Sequence, residues 1–290
     1  MVISLIKSLR PNQWSKNLLL FAGLLFSKSL FEAPLLLKAT IGFFLFCILS
    51  GAEYVLNDVV DLNQDKAHPI KSKRPLASGK LSTSFAVSTV VILMASGISL
   101  SFFLNDAFGW VATAYALLML GYTFFLKRIA ILDVLVIAVG FVLRAIAGTV
   151  VIGVSISSWL LVCTIFLALF LGLCKRRHEL VLLGENANTH RKILGEYTPY
   201  LLDQMIAVAT ASTVMSYTLY TTAADTVEKF GTRNLVFTLP FVLYGIFRYL
   251  YLVHQKNMGG SPENILIKDR GMTINIFLYL VTTGFILYRK

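Results

Sequence analysis

The chain has 290 residues, a formal net charge of +11, and a composition that is 57% hydrophobic and only 14% charged. A soluble domain is nearer a quarter charged, so a soluble globular class is excluded, and repeated apolar stretches close to the ~20 residues that cross a bilayer define a polytopic membrane protein. No basic segment is long enough to form a nucleic-acid-binding module, so the positive charge points to an anionic lipid surface or to phosphorylated substrates.

In chain order, "MVISLIKSLRPNQWSKN" lacks the uninterrupted apolar core of a signal peptide. It reads as a short amphipathic segment on the membrane surface, with Trp14 at headgroup level. Nine spans are expected, over 18–32, 35–57, 81–104, 107–126, 132–152, 157–175, 203–223, 234–254 and 272–288. The first is short and interrupted near Lys28. The links alternate sides, and one side collects 1–17, 58–80, 127–131, 175–202 and 255–271, with most of the 26 Lys and Arg, Arg191 among them. The positive-inside rule makes that side cytoplasmic. Most of the acids lie there too, Glu185 and Glu263 included, although topology signals do not require carboxylates. Chemistry is therefore expected on the cytoplasmic face. Cys47, Cys163 and Cys174 sit in or at the end of apolar runs, with a spacing that suits neither zinc nor a disulfide framework.

The link after the second span reads "NDVVDLNQDKAHPIKSKRPLASG" (57–79). Asp58, Asp61 and Asp65 are spaced i, i+3, i+7 and share one face if the helix continues through them. Asn57 adds an amide oxygen. Converging carboxylates need a cation, and oxygen-only ligands select a hard one, Mg²⁺ above all, which completes its shell with substrate phosphates and water. Lys71, Lys73 and Arg74 follow on a loop stiffened by Pro69 and Pro75. Metal on one side and cations on the other make a clamp for a diphosphate. The bland alternative is a solvated mixed-charge loop, but ionisable groups beside a bilayer core are costly.

Further along, Tyr122, Lys127, Arg128 and Asp133 surround the link after the fourth span. Lys127 can contact a phosphate, Tyr122 can donate its hydroxyl, and Asp133 can support a sugar or a cation. Equally, these can be an interfacial aromatic and topology charges. Arg144 lies midway along the fifth span with no acid in that span, so it is expected to face a cavity or a partner. Glu53, a turn before the aspartates, suits a pairing or a catalytic role. His68 and His178 read as solvated, and Arg248 with Asp269 and Arg270 as structural.

"NDVVDLNQD" resembles the first aspartate-rich motif of the UbiA superfamily of intramembrane prenyltransferases. Together with "RPNQWSKN" (10–17), "YTFFLKRIAILDVLVIAVGFVLRAIAG" (122–148), "KRRHEL" (175–180), "FRYLYLV" and "SPENILIKDRG", it resembles the decaprenyl-phosphate phosphoribosyltransferase branch of that superfamily. The resemblance implies an all-α fold, a single domain over 1–290, with two four-helix repeats around a central cavity open to the cytoplasm. It implies transfer of 5-phosphoribose from phosphoribosyl diphosphate to a membrane polyprenyl phosphate in a bacterial plasma membrane. Asp58, Asp61 and Asp65 would hold Mg²⁺. Asp58, Asp61, Lys127 and Arg144 would be catalytic. Asn57, Lys71, Lys73, Arg74, Tyr122, Lys127 and Asp133 would bind substrate.

The superfamily's second acidic motif is replaced here by "CKRRHEL". Lys175 and Arg176 there suit the donor's 5-phosphate, with Glu179 the only acid. A second reading is prenyl transfer to an aromatic or other acceptor, which would want that missing motif. A third is a transporter, which would need a polar path across the whole membrane, whereas the polar residues cluster on one face. A homo-oligomer is left open.

Overall fold

In lipid the backbone has no water to satisfy its N–H and C=O groups, so apolar stretches of this length must close their hydrogen bonds within a helix. A computed structural model describes residues 2–184, 192–256, 258–260 and 262–288; Glu185 and Arg191 lie outside them. Every regular element among the described residues is an α-helix or a short 3₁₀ helix. The chain divides into two compact units, residues 1–156 with 186–196, and residues 157–185 with 197–290.

The first unit begins with α1 (Val2–Ser8), a 3₁₀ stretch (Pro11–Phe21) and α2 (Ala22–Phe26). The membrane-scale helices α3 (Ala33–Val60), α5 (Thr83–Leu104), α6 (Asp106–Phe124) and α7 (Leu132–Val151) follow, with the short α4 (Leu62–Ala67) after α3. Sequence-local caps start two of them: Ser82 accepts from the Phe85 N–H, and Asn105 from that of Phe108 at 3.0 Å. Helix α3 packs on α5, α6 and α7. Leu20, Leu24, Phe46, Leu49, Phe108 and Tyr115 form the core between them. A second cluster sets Leu76 and Leu81 of the loop after α3 against Val55, Ala86 and Val90, which fixes that loop over the helix ends.

The second unit holds α8 (Ser158–Leu183), α9 (Pro199–Thr222), α10 (Ala224–Phe230), α11 (Leu239–Gln255, preceded by a 3₁₀ turn over Asn234–Thr238), α12 (Pro262–Lys268) and α13 (Arg270–Tyr288). Helix α8 packs on α9, and α11 on α13. Among the described residues each unit carries four long helices.

Among the described residues seven helices are long and apolar enough to cross a membrane, against nine expected spans. Helix α9 has the length, at 24 residues, but carries Thr and Ser along much of its course. The expected span 18–32 is not a single helix. Part of its apolar content serves the interior of the first unit: Leu20 and Leu24 are fully buried while Leu18 and Phe31 are exposed, and the chain turns at Lys28 with φ 62°. The close seating depends on Gly148 of α7, where a Cβ would lie 2.1 Å from the Leu20 carbonyl oxygen. The 3₁₀ stretch that carries Trp14 packs against α3 and α7. Helix α8 also runs on to Leu183, past the expected end at 175, so "CKRRHEL" is helical.

Candidate functional site

The site in the first unit grows from the end of α3. The helix breaks at Asp61, but the Asp61 N–H still reaches the Asn57 carbonyl (2.9 Å) and the Asp65 N–H that of Asp61 (2.8 Å). The path into α4 is therefore nearly helical, and the three aspartates separate into two groups. Asp58 and Asp65 are buried together, and one nitrogen of Arg74 donates to both, at 3.0 Å and 2.5 Å. Asp61 turns to Lys127, whose ammonium donates to it at 2.6 Å and to the Asn57 side-chain oxygen at 3.0 Å. The expected single face becomes two adjoining ones because of the break at Asp61.

Lys127 comes from the 3₁₀ turn Leu126–Arg128 after α6 and is buried. Arg74 comes from the loop pinned by Leu76. The Nδ1 of His68 accepts from the N–H groups of Ile70 and Lys71, at 3.1 and 3.2 Å. His68 is thus buried and shapes the loop, where solvation was expected. Lys71 and Lys73 lie on the short 3₁₀ turn that follows, Lys73 exposed. Tyr122 is half-buried in the last turns of α6, and Asp133 is fully buried in the first turn of α7, where the helix dipole favours a negative charge.

Sequence reasoning did not single out Arg10. It ion-pairs with Asp58 and lies 4.9 Å over the Tyr54 ring. Its left-handed backbone (φ 52°, ψ 64°) directly precedes Pro11, which disfavours the right-handed helical region for the residue before it. That Arg-Pro pair was the available signal.

Arg144 finds partners inside the membrane helices. It donates to the side-chain oxygen of Asn17 (2.8 Å), the Gly140 carbonyl (3.0 Å) and the Tyr115 hydroxyl (2.7 Å). Asn17 in turn donates to Ser50 at 3.2 Å. Asn17 and Tyr115 were also missed, since nothing local marks a contact between residues 17 and 144. Glu53 is buried between this group and the aspartates, and among the described residues neither carboxyl oxygen has a hydrogen-bond partner.

In the second unit, Lys175, Arg176 and Glu179 lie on α8. Arg176 is buried and donates to Glu179 at 2.6 Å, while Arg177 pairs with Asp203. Arg248 and Asp269 form a two-bond pair, at 3.1 and 2.8 Å, which holds the Asp269 carboxyl below the usual carboxylate range.

Among the described residues no three His, Cys, Asp or Glu side chains are gathered as a ready metal cage. A Mg²⁺ site does not require one, since one or two carboxylates with substrate phosphates and water suffice. The donor set fits. Asp58 and Asp65 converge on one cationic nitrogen, the Asn57 oxygen and Asp61 stand on the adjoining face, and all are hard oxygen ligands.

The model of the UbiA prenyltransferase family matches residues 18–265. The chain is 34% identical to a decaprenyl-phosphate phosphoribosyltransferase of Corynebacterium glutamicum, over 93% of this chain and 82% of that one. It is 32% identical to one of Mycolicibacterium smegmatis, over 99% of this chain and 93% of that one. Among solved structures, a UbiA homolog from Archaeoglobus fulgidus bound to GPP and Mg²⁺ shares the fold, with a TM-score of 0.73 and 18% identity, over 98% of this chain and 99% of that one.

Proposed function

Because this multi-pass membrane protein belongs to the UbiA prenyltransferase family, we propose that it is a polyprenyl-phosphate phosphoribosyltransferase. It moves 5-phosphoribose from phosphoribosyl diphosphate to a membrane polyprenyl phosphate and releases pyrophosphate. The observation that carries this reading is similarity along almost the whole chain to relatives with that transferase name. The charges at the end of α3 support it, since they suit a diphosphate.

Asp58, Asp61 and Asp65, with Asn57, are the residues that would hold Mg²⁺. Bound there, the ion would offset the charge of the departing diphosphate. Lys127 and Arg74 bind diphosphate oxygens, and Lys71 and Lys73 extend the cationic wall. Tyr122 donates a hydroxyl and Asp133 supports the sugar side. Arg144 acts as a positioning residue through Asn17 and Tyr115. On the sequence pattern, Lys175 and Arg176 take the donor's 5-phosphate, with Glu179 orienting Arg176.

The acceptor phosphate is anionic at pH 7, so no general base is needed. Loss of diphosphate from C1 builds oxocarbenium character, as in glycoside chemistry. Each CH₂ withdrawn from lipid costs about 0.8 kcal/mol, so the acceptor tail stays in the bilayer while the donor arrives from water. The positive-inside distribution supports a site on the cytoplasmic face of a bacterial plasma membrane.

The test is purified protein with labelled phosphoribosyl diphosphate, Mg²⁺ and a set of polyprenyl phosphates. Label should enter the organic extract and fail to do so when the divalent ion is chelated. Label that stays aqueous with every lipid tried overturns the reading.

A further inference from the structure

Ser50, Glu53, Asn57 and Asp61 follow one another along α3 at steps of three and four residues, so they form one stripe on the helix. Three of the four are engaged: Ser50 with Asn17, and Asn57 and Asp61 with Lys127. Glu53 is not. It is 6% exposed, and both carboxyl oxygens are buried with no donor among the described residues. Arg144 is near enough to attract it, but the guanidinium's hydrogen bonds go to Asn17, Gly140 and Tyr115. Buried carboxyl oxygens without hydrogen-bond partners are costly, and a ligand that brings hydroxyl donors would offset that cost.

In phosphoribosyl diphosphate, the 1-diphosphate and the 5-phosphate arm flank one edge of the furanose ring. The 2- and 3-hydroxyls occupy the opposite edge. With the 1-diphosphate held at the loop end of α3, the sugar sits beside that end, and its diol edge can turn along the helix toward the membrane interior. Glu53 lies on that side, five residues from Asp58, an axial rise of about 7.5 Å.

Resting on the phosphoribosyl reading above, we propose that Glu53 is the ribose-recognition residue, its carboxylate accepting hydrogen bonds from the donor's 2,3-diol. Two hydroxyl donors on adjacent carbons match the two oxygens of one carboxylate. A prenyl diphosphate has no hydroxyl to offer and leaves Glu53 orphaned. A site built around a substrate hydroxyl rejects analogues that lack it for this reason. Glu53 thereby selects ribosyl over deoxyribosyl and prenyl donors.

The experiment measures inhibition of the wild-type, Glu53→Gln and Glu53→Ala proteins by ribose 5-phosphate, 2-deoxyribose 5-phosphate and inorganic pyrophosphate. The wild type should prefer ribose 5-phosphate by roughly ten- to 150-fold, the range for a hydrogen bond to a charged group. Glu53→Gln should shrink this preference and Glu53→Ala should remove it, with pyrophosphate inhibition unchanged in both. Unchanged pyrophosphate inhibition shows that both variants are folded. A preference undiminished in Glu53→Gln, or retained in Glu53→Ala, overturns the assignment of Glu53. A wild type that turns over phosphoribosyl diphosphate without distinguishing the two sugars overturns it as well. Failure to use phosphoribosyl diphosphate at all brings down the proposed function, and the Glu53 assignment with it, and is a separate outcome.

Discussion

The ion pair between Lys127 and Asp61 joins the turn after α6 to the end of α3, so it can be tested apart from catalysis. The Lys127 side chain is 10% exposed and that of Asp61 21%, with 2.6 Å between the charged atoms. Lys127→Met removes this bond and the 3.0 Å bond to Asn57, and it leaves the Asp61 carboxylate beside the bilayer without its ammonium. Removing one partner of a fully buried pair costs ~3–5 kcal/mol. Because Asp61 keeps some contact with water, the lower scale for a charged hydrogen bond applies, ~1.5–3 kcal/mol. Asp61→Asn breaks the same interaction from the other side. The double variant should therefore lose little beyond the worse single variant, a coupling of ~1.5–3 kcal/mol. The assay is thermal unfolding of the three variants and the parent in one detergent. Losses that add to within ~0.5 kcal/mol would show that the two residues act independently and would refute the pairing.

Asp58→Asn and Asp61→Asn are each expected to abolish turnover while the protein stays folded and inserted; near-normal rates in both at saturating Mg²⁺ would sink the metal assignment. Ser82 is exposed at the start of α5, and Ser82→Cys in intact cells should resist an impermeant thiol reagent. Labelling there, with the membrane intact, would reverse the topology. Lys175→Ala and Arg176→Ala should weaken dependence on phosphoribosyl diphosphate by roughly ten- to 150-fold, with little change toward the lipid phosphate. An unaltered donor dependence would return both residues to topology signals. Arg176→Ala also releases Glu179 from its 2.6 Å pair, so Lys175→Ala is the cleaner of the two.

Much of this was legible because it is local. The i and i+7 spacing of Asp58 and Asp65 survives a break at Asp61, since backbone hydrogen bonds still bridge it, and the two meet on Arg74 nine and sixteen residues away. What could not be read was distant. Asn17 meets Arg144 across 127 positions, and Arg10 meets Asp58 across 48. Hydropathy also cannot tell a residue facing lipid from one facing other helices. Leu20 and Leu24 count toward a span by composition, yet they fill the core of the first unit. The end of α8 was placed too early because its last turns are charged, although Lys, Arg and Glu are good helix formers once clear of the apolar core. The stripe of Ser50, Glu53, Asn57 and Asp61 was visible in the sequence. Its meaning depended on which of these side chains the fold left without a partner.

The most direct test of the account is the mass of the lipid product. Purified protein would receive equal amounts of phosphoribosyl diphosphate and a prenyl diphosphate, with Mg²⁺ and a polyprenyl phosphate, and the extracted lipid would be read by mass spectrometry. Phosphoribosyl transfer gives a polyprenyl phosphate heavier by one 5-phosphoribosyl group, with pyrophosphate released in equal amount. A lipid or acceptor extended by a prenyl unit, with phosphoribosyl diphosphate untouched, would contradict it and leave only the family assignment standing.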